Sequence, residues 1–358
     1  MKLLQPGSGP VTGEEYLPAE AGTVSWGLLP NAASQPVLSV RSGTTVTIDT
    51  VSHEGILEDQ GRDPVAFFAA AGIGQVLQDA VTVAREVQHD PAVHGPHVVT
   101  GPIAVLGARP GDVLEAEVLE LSYRAPYGVI SNRHGRGALA GEYPLPPAGT
   151  APGAPVPPVS LVATVGDDDR GVLPTGDGRC LRFPLAPFLG IMGIAPGTDQ
   201  PVNSVPPGSY GGNIDIAMLV TGTSLYLPVQ APGALFYVGD PHFSMGDGEV
   251  ALTAFEAPLR ATVRLTVHSD PDMRKLAADL GTPFAETPDS HLVVGLDRDL
   301  DEAVRQATRN ALTFLRHRHG IRADIALAYL SAAADFRISQ VVDIVKGVHC
   351  CLRKSDLP

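Results

Sequence analysis

The chain has 358 residues, of which 44 % are hydrophobic and 18 % charged, and its formal net charge is −14. This globular composition excludes intrinsic disorder, and the absence of any run of Lys and Arg excludes a nucleic-acid binder. Three cysteines, two of which are adjacent in the sequence, do not make a disulfide framework. Residues 1–6 lack the apolar core of a signal peptide, and no apolar run approaches the ~20 residues of a membrane span. We therefore expect a cytoplasmic protein without nucleic-acid or membrane partners.

The first two thirds of the chain predict mainly β-strands. Residues 37–51 are rich in Val, Ile and Thr around Ser42 and Gly43, which predicts a β-hairpin. Residues 67–87 follow helical spacing, and residues 102–106 predict a strand. Leu114, Ala116 and Val118 alternate with glutamates, as in a sheet with one solvent-exposed face. Seven prolines in residues 143–158 predict a surface loop. Further strands are predicted at residues 214–220, 224–229, 234–238, 250–255 and 259–267.

The C-terminal region predicts helices and a closing strand. A helix is expected to start at Asp299, with Glu302 three residues later as in a capping box, and to end at Gly320. An alanine-rich helix over residues 324–334 and a strand over residues 336–342 follow. The predicted fold is therefore α+β and β-rich, with mostly antiparallel sheets in a sandwich or barrel and helices near the C-terminus. We expect one domain over residues 1–358, with the Pro-rich stretch 143–158 as a surface excursion.

Polar residues that can carry chemistry concentrate between positions 210 and 256. Three pairs there are spaced by two residues and flanked by glycine: Asn213 with Asp215, Asp240 with His242, and Asp247 with Glu249. On an extended chain such pairs point to the same face, and carboxylate with imidazole suits Zn²⁺. Asp and Asn beside Gly are equally the usual turn residues, so the spacing leaves both interpretations open.

Four histidines lie upstream, at positions 53, 89, 94 and 97. A histidine at the start of a strand is more often hydrogen-bonded and structural than a ligand, which is how we interpret His97. His53 is the better candidate ligand. A nucleophile mechanism has little support, because the chain has no Gly-x-Ser-x-Gly elbow, and it has neither a P-loop nor a strand followed by Gly-x-Gly-x-x-Gly.

Several short motifs occur in the order found in one known family. They are His97–Pro102 with Gly107–Leu114, Gly193-Ile194-Ala195-Pro196, Gly211-Gly212-Asn213-Ile214-Asp215, Gly239-Asp240-Pro241-His242, Gly246–Val250, Ser339–Asp343 and Lys346–His349. Through them the chain resembles the acetamidase/formamidase family over nearly its whole length. The resemblance implies a β-rich fold, a divalent metal ion and a homo-oligomer. Zn²⁺ is the favoured metal, with Ca²⁺ or Mg²⁺ as alternatives.

With this resemblance, we expect an amidohydrolase that cleaves the C–N bond of a small linear carboxamide with a metal-activated water. Asp240 and His242 would hold the metal, and Asp215 or His53 would complete its shell. Glu249, or alternatively Glu142, would carry a proton to the leaving ammonia, and Asn213 would stabilise the oxyanion.

Two alternatives stay open: a catalytically silent protein that binds a metal or small ligand, and an amidase with Cys180 as nucleophile.

Met245 stands where the family usually has Gln, and Phe188 where some members have His. If those positions touch the substrate, a different or bulkier amide is expected.

Overall fold

The fold is built mainly from antiparallel strands. The computed structural model describes residues 2–151 and 153–358, and within them we number the elements in chain order. The strands are β1 Glu15–Leu17, β2 Val24–Trp26, β3 Leu28–Leu29, β4 Leu38–Arg41, β5 Thr44–Asp49, β6 Val98–Leu106, β7 Val113–Tyr123, β8 Tyr127–Asn132, β9 Val159–Val165, β10 Arg170–Pro174, β11 Cys180–Pro184, β12 Phe188–Gly193, β13 Val202–Asn203, β14 Gly211–Asn213, β15 Ser224–Pro228, β16 Phe236–Ser244, β17 Phe255–Glu256, β18 Leu259–His268, β19 Phe284–Glu286, β20 Ser290–Asp297, β21 Asp335–Gln340 and β22 Lys346–Arg353. The helices are α1 Pro64–Ala70, α2 Gln78–Glu86, α3 Pro271–Leu280, α4 Leu300–His319 and α5 Ala323–Ala333.

Two large open sheets carry the architecture. A nine-stranded sheet has the order β1-β5-β18-β7-β15-β19-β20-β22-β21. An eleven-stranded sheet has the main order β11-β10-β9-β8-β17-β16-β12-β14, and β6 joins β2 and β4 to β16. The main hydrophobic core takes buried residues from both, such as Ile48 and Val118 from the first and Ile103 and Phe236 from the second. The sheets therefore pack face to face, as in a sandwich.

The C-terminal helices cover the nine-stranded sheet. A second core joins Leu276 of α3, Phe314 of α4 and Leu330 of α5 to Val293 of β20. The Asp299 carboxylate caps α4 by accepting the Glu302 N–H at 3.0 Å, and Gly320 ends the helix at φ +65°. The β-rich α+β fold with C-terminal helices is thus confirmed. No helix in the described part of the chain is long and apolar enough to cross a membrane.

The predicted hairpin over residues 37–51 is wrong in its pairing. Both strands form, but β4 pairs in parallel with β6 of the eleven-stranded sheet, whereas β5 pairs with β1 and β18 of the other sheet. Gly43, at φ +90°, lies where the chain passes from one sheet to the other. Local β-propensity predicted the strands, but their partners are far away in the sequence.

Two other predicted strands are also absent. Residues 214–220 are irregular although Ile214, Ile216 and Leu219 are fully buried, because Asp215 adopts φ +44° and a turn links Leu219 to Ile216. Residues 250–255 form a turn after Glu249, and only Phe255–Glu256 is extended. An apolar pattern indicates burial, but burial does not require an extended backbone.

The other predicted elements are present. The helical stretch 67–87 contains α1 and α2, and β7 alternates buried apolar residues with partly exposed glutamates. The strand expected at residues 234–238 continues to Ser244 as β16. Residues 143–151 and 153–158 contain neither helix nor strand, and Val156 and Pro158 reach the wall of the main cavity.

Candidate active site and metal centre

Three histidines and five carboxylates meet beside β16 and β17 of the eleven-stranded sheet, at a cavity of about 940 Å³. We call them the His–carboxylate cluster, and its members are His53, His97, Asp215, Asp240, His242, Glu249, Glu256 and Asp343. Each is buried, with at most 6 % of its surface exposed. All except Asp215 and His242 line the cavity, so these two lie behind the others.

Asp240 and His242 enter the cluster from the same strand, β16. The Asp240 Oδ2 atom lies 3.1 Å from Nε2 of His242, so the two side chains share one site although the backbone at Asp240 leaves extended geometry at φ +49°. The other carboxylate oxygen, Oδ1, lies 3.3 Å from Nδ1 of His53 and 4.0 Å from Nε2 of His97. Asp240 is therefore at the centre of the cluster, with imidazoles on both of its oxygens.

Gly190 of β12 forms the floor under Asp240. A Cβ atom at this position would lie 2.5 Å from Oδ1 of Asp215, 2.7 Å from Oδ2 of Asp240 and 2.7 Å from Cε1 of His242. The Gly190 carbonyl also accepts the N–H of Ile214 and of Asp215, each at 3.2 Å. Only glycine leaves room for three polar side chains this close to the strand backbone.

Asn213 and Asp215 differ in depth. Asn213 ends β14 and lines the cavity, while Asp215 lies behind it with Oδ1 3.9 Å from Nδ1 of His242. Both side chains are at least 99 % buried. The pair thus supplies one group toward the cavity and one toward the rear of the cluster.

The third pair does not act as a pair. Glu249 is buried, lines the cavity and has Oε1 3.9 Å from Nε2 of His242, whereas Asp247 points outward and binds Nε of Arg337 at 2.7 Å. The expectation that both carboxylates face one way is wrong because Glu249 lies in a turn at φ +48° rather than on an extended strand. Backbone bonds from Gly248 to residues of the 339–341 segment hold this turn.

Glu256 and Asp343 were not identified from the sequence as site residues. Glu256 lies opposite His242 in the pairing of β17 with β16, and its Oε1 is 2.9 Å from Nε2 of that histidine. Asp343 lies on the cavity wall in a loop after β21. Neither has a local spacing signal, since their partners are supplied by other parts of the chain.

His97, interpreted from the sequence as structural, is both hydrogen-bonded and part of the cluster. Its Nδ1 is 2.9 Å from Oγ of Ser204, which fixes the ring and leaves Nε2 facing Asp240. Burial lowers the pKa of His97 to about 4, so the ring is neutral at pH 7. A neutral imidazole is the form that binds a metal ion.

The backbone is held in an uncommon conformation at three carboxylates of the cluster. Asp215, Asp240 and Glu249 have φ values of +44°, +49° and +48°. Positive φ is unusual for residues other than glycine, and it concentrates at functional sites where the surroundings hold it in place.

The cluster carries more potential negative than positive charge. Burial raises the pKa of Glu256 to about 7 and that of Asp343 to about 8, and it raises the pKa of Glu249 well above its ordinary value. Burial acts in the same direction on Asp240, but the charge of His242 and the contacts of His242 and His53 with the carboxylate hold the pKa of Asp240 well below its usual range. A bound cation would relieve the repulsion among the remaining carboxylates.

The polar atoms of the cluster fit a divalent cation. Among the residues that the structure describes, many of these buried atoms have no aligned hydrogen-bond partner: Nδ1 of His53, both nitrogens of His242, both oxygens of Asp215, Oδ1 of Asp240, Oε2 of Glu256 and Oδ2 of Asp343. Buried polar groups without partners are costly, and convergent nitrogen and oxygen donors are what Zn²⁺ binds. Three overlapping groups of ligand atoms lie within 4.8 Å: His53, His97 and Asp240; Asp215, His242 and Glu249; Asp240, His242 and Glu256.

Four other residues considered from the sequence do not line the cavity. Glu142 is exposed in the turn after Leu139, and Cys180 is exposed on the edge strand β11. Met245 is half-buried, while Phe188 is fully buried and packs its ring edge-on against His242 at 4.8 Å between centroids. Phe188 thus supports His242 from behind and does not face the cavity.

Comparisons with known proteins relate the chain to amide hydrolases in sequence and in fold. A model of the acetamidase/formamidase family matches residues 197–353. A formamidase of Methylophilus methylotrophus is 26 % identical over 300 residues, covering 69 % of this chain and 74 % of the formamidase. An acetamidase of Mycolicibacterium smegmatis is 28 % identical over 216 residues, covering 48 % of this chain and about half (52 %) of that protein. The crystal structure of an acetamidase from Bacillus halodurans superposes with a TM-score of 0.74 at 27 % identity, covering 95 % of this chain and 98 % of the other.

Proposed function

We propose that this chain, which matches a model of the acetamidase/formamidase family over residues 197–353, hydrolyses a small linear carboxamide to a carboxylate and ammonia with the help of a divalent metal ion. The observation that carries this proposal is the convergence of Asp240, His242 and the other cluster side chains at one cavity. The substrate class is taken from the relatives. The metal is proposed from the donor atoms, which suit Zn²⁺.

Asp240 and His242 would hold the metal ion, with His53 or Asp215 as further ligands. Bound there, a divalent cation polarises a carbonyl group and lowers the pKa of water. The role of the protein is to keep these donors fixed in a buried site, which Gly190 and the pairing of β16 with β12 achieve. The homo-oligomer implied by the resemblance stays a prediction.

Glu249 is the proposed proton carrier. Its side chain lines the cavity next to His242, and burial raises its pKa well above the ordinary value for glutamate. A carboxylate with a raised pKa is a stronger base than an ordinary glutamate, so it can take a proton from the attacking water and give it to the departing ammonia. Asn213, on the same wall, can donate its amide N–H to the carbonyl oxygen as negative charge develops there.

The proposal is tested by ammonia release from formamide, acetamide and propionamide before and after treatment with a chelator. We expect release that chelation abolishes and added Zn²⁺ restores. Release that resists the chelator but stops with iodoacetamide would instead support the Cys180 mechanism. No release from any amide, in a protein that binds metal, would indicate a silent binding protein.

Glu249→Gln is expected to lower kcat by about 10²-fold or more with little change in bound metal. The amide keeps the size and hydrogen bonding of the carboxylate but removes the basic oxygen, and general acid–base catalysis contributes 10²–10⁴-fold. Steady-state kinetics and elemental analysis measure the two effects.

Asp247→Asn is the matched control, since this neighbouring carboxylate points outward to Arg337. It should keep wild-type kinetics. A Glu249→Gln enzyme with wild-type turnover would remove the proton carrier role and shift it to Glu256 or Asp343, which line the same cavity.

A further inference from the structure

The two carboxylate oxygens of Asp240 face two different sets of imidazoles. Oδ1 lies 3.3 Å from Nδ1 of His53 and 4.0 Å from Nε2 of His97. Oδ2 lies 3.1 Å from Nε2 of His242, and that nitrogen is also 2.9 Å from Oε1 of Glu256. We call the first set the outer position, because all of its residues line the cavity, and the second set the inner position, because His242 lies behind the cavity wall.

From this arrangement we propose that the cluster binds two divalent cations, with the Asp240 carboxylate bridging them. The inference deepens the proposed function and rests on it only in taking the cluster as a cation site. The outer ion is held by His53, His97 and Oδ1 of Asp240, and the inner ion by His242, Glu256 and Oδ2 of Asp240.

The nitrogen and oxygen atoms around Asp240 are as close as ligands that share an ion, but they lack the alignment of hydrogen bonds. Two ligand atoms of a tetrahedral Zn²⁺ lie roughly 3.3 Å apart, since each is 2.0–2.2 Å from the metal. The approaches of 2.9–3.3 Å around Asp240 reach this value at their upper end, and they also overlap the range of N–H···O hydrogen bonds. Nevertheless, Nδ1 of His53, Nε2 of His242 and Oδ1 of Asp240 have no aligned hydrogen-bond partner within the described residues.

The outer position also has the supporting contacts that orient metal-binding histidines. The Oγ of Ser204 lies 2.9 Å from Nδ1 of His97, and Oε1 of Glu54 lies 3.6 Å from Nε2 of His53. His97 thus has the hydroxyl–histidine contact that fixes ring orientation in metal sites. The remote nitrogen of His53 faces the Glu54 carboxylate beyond hydrogen-bond distance. The two rings meet edge-on, with 5.1 Å between centroids.

The inner position has its own unpartnered atoms. Both nitrogens of His242 and Oε2 of Glu256 are buried without a hydrogen-bond partner among the described residues. The other oxygen of Glu256, Oε1, accepts the N–H of Ala254 at 3.0 Å. A single ion at the outer position would leave both nitrogens of His242 and Oε2 of Glu256 without a metal and without an aligned hydrogen-bond partner among the described residues. The second cation accounts for them.

Titration of the metal-free chain with Zn²⁺, followed by elemental analysis after gel filtration, tests the stoichiometry. We expect two tightly bound ions per chain, and X-ray absorption should show a metal–metal distance of roughly 3.5–4 Å, as in two-metal hydrolases. Saturation at one ion per chain without a metal–metal signal would overturn the proposal. This measurement needs no variant and no substrate.

Variants separate the two positions. His97→Gln should weaken the outer ion and Glu256→Gln the inner ion, each by at least about 10²-fold, because even an outer-shell partner of a ligand is worth 10–100-fold in metal affinity. Each should keep the other ion. His317→Gln, on α4 and paired with Asp279, is the control that should retain both. Simultaneous loss of both ions in the His97 and Glu256 variants, with circular dichroism unchanged, would indicate one shared ion and overturn the assignment.

The amidase assay distinguishes the two proposals. One ion per chain with chelator-sensitive ammonia release would overturn the bridged pair and leave the hydrolase intact. Two ions per chain without hydrolysis of any tested amide would support the bridged pair and remove the hydrolase.

Discussion

Asp240→Ala is expected to abolish amide hydrolysis, lowering kcat/KM by at least about 10³-fold. One oxygen of Asp240 lies 3.3 Å from His53 and the other lies 3.1 Å from His242. The substitution therefore removes the carboxylate that both proposed metal positions share. Metal polarisation contributes several kcal/mol to such reactions, and each 1.36 kcal/mol is a factor of ten in rate. Bound metal should fall together with activity.

Elemental analysis and ammonia release measured on the same preparation test this expectation. Asp199→Ala is a suitable control, since Asp199 is exposed on a loop before β13 and should change neither quantity. An Asp240→Ala protein that keeps its full metal content would exclude Asp240 as a ligand. Circular dichroism distinguishes a lost site from a lost fold.

Gly190→Ala should lower kcat/KM by about 10²-fold or more although the added methyl group is not polar. The new Cβ would lie 2.5–2.7 Å from atoms of Asp215, Asp240 and His242, so at least one of these side chains must move. Overpacking costs about 1–3 kcal/mol of stability, and a displacement of about 1 Å at a reacting site can cost 10²-fold in rate.

The effect should appear as weaker metal binding and a lower Tm in the same variant. Gly74→Ala is the matched control, because nothing lies within 4 Å of its Cβ position and its φ is not positive. If Gly190→Ala bound metal and turned over substrate like the wild type, the close packing of Gly190 against Asp215, Asp240 and His242 would be contradicted.

Short-range patterns in the sequence predicted much of the secondary structure and one part of the site. The alternation in β7, the capping residues of α4 and the spacing of Asp240 and His242 each depend on residues that are near neighbours in the chain. Backbone geometry alone relates such residues, with a period of two on strands and 3.6 on helices. These features could therefore be stated before any tertiary structure was considered.

The same reasoning was wrong where the backbone left regular geometry. Asp247 and Glu249 have the spacing of a strand pair, yet the turn at Glu249 sends one carboxylate to the surface and the other into the cluster. The predicted hairpin at residues 37–51 was wrong because the pairing partners of β4 and β5 belong to different sheets. Positive φ and sheet exchange are imposed by the surrounding packing, and local propensity does not encode them.

The sequence by itself thus determined a β-rich α+β fold, the pairing of Asp240 with His242 in one site, and the resemblance to amide hydrolases. Only the tertiary structure decided which other groups join them. Strand pairing places Glu256 opposite His242, and packing places Gly190 beneath the carboxylates. His53, His97 and Asp343 come to the cavity from distant segments of the chain. The physical reason is that a buried polar cluster is assembled by the packing and register of whole sheets, in which residues hundreds of positions apart become neighbours, and no local periodicity records that register.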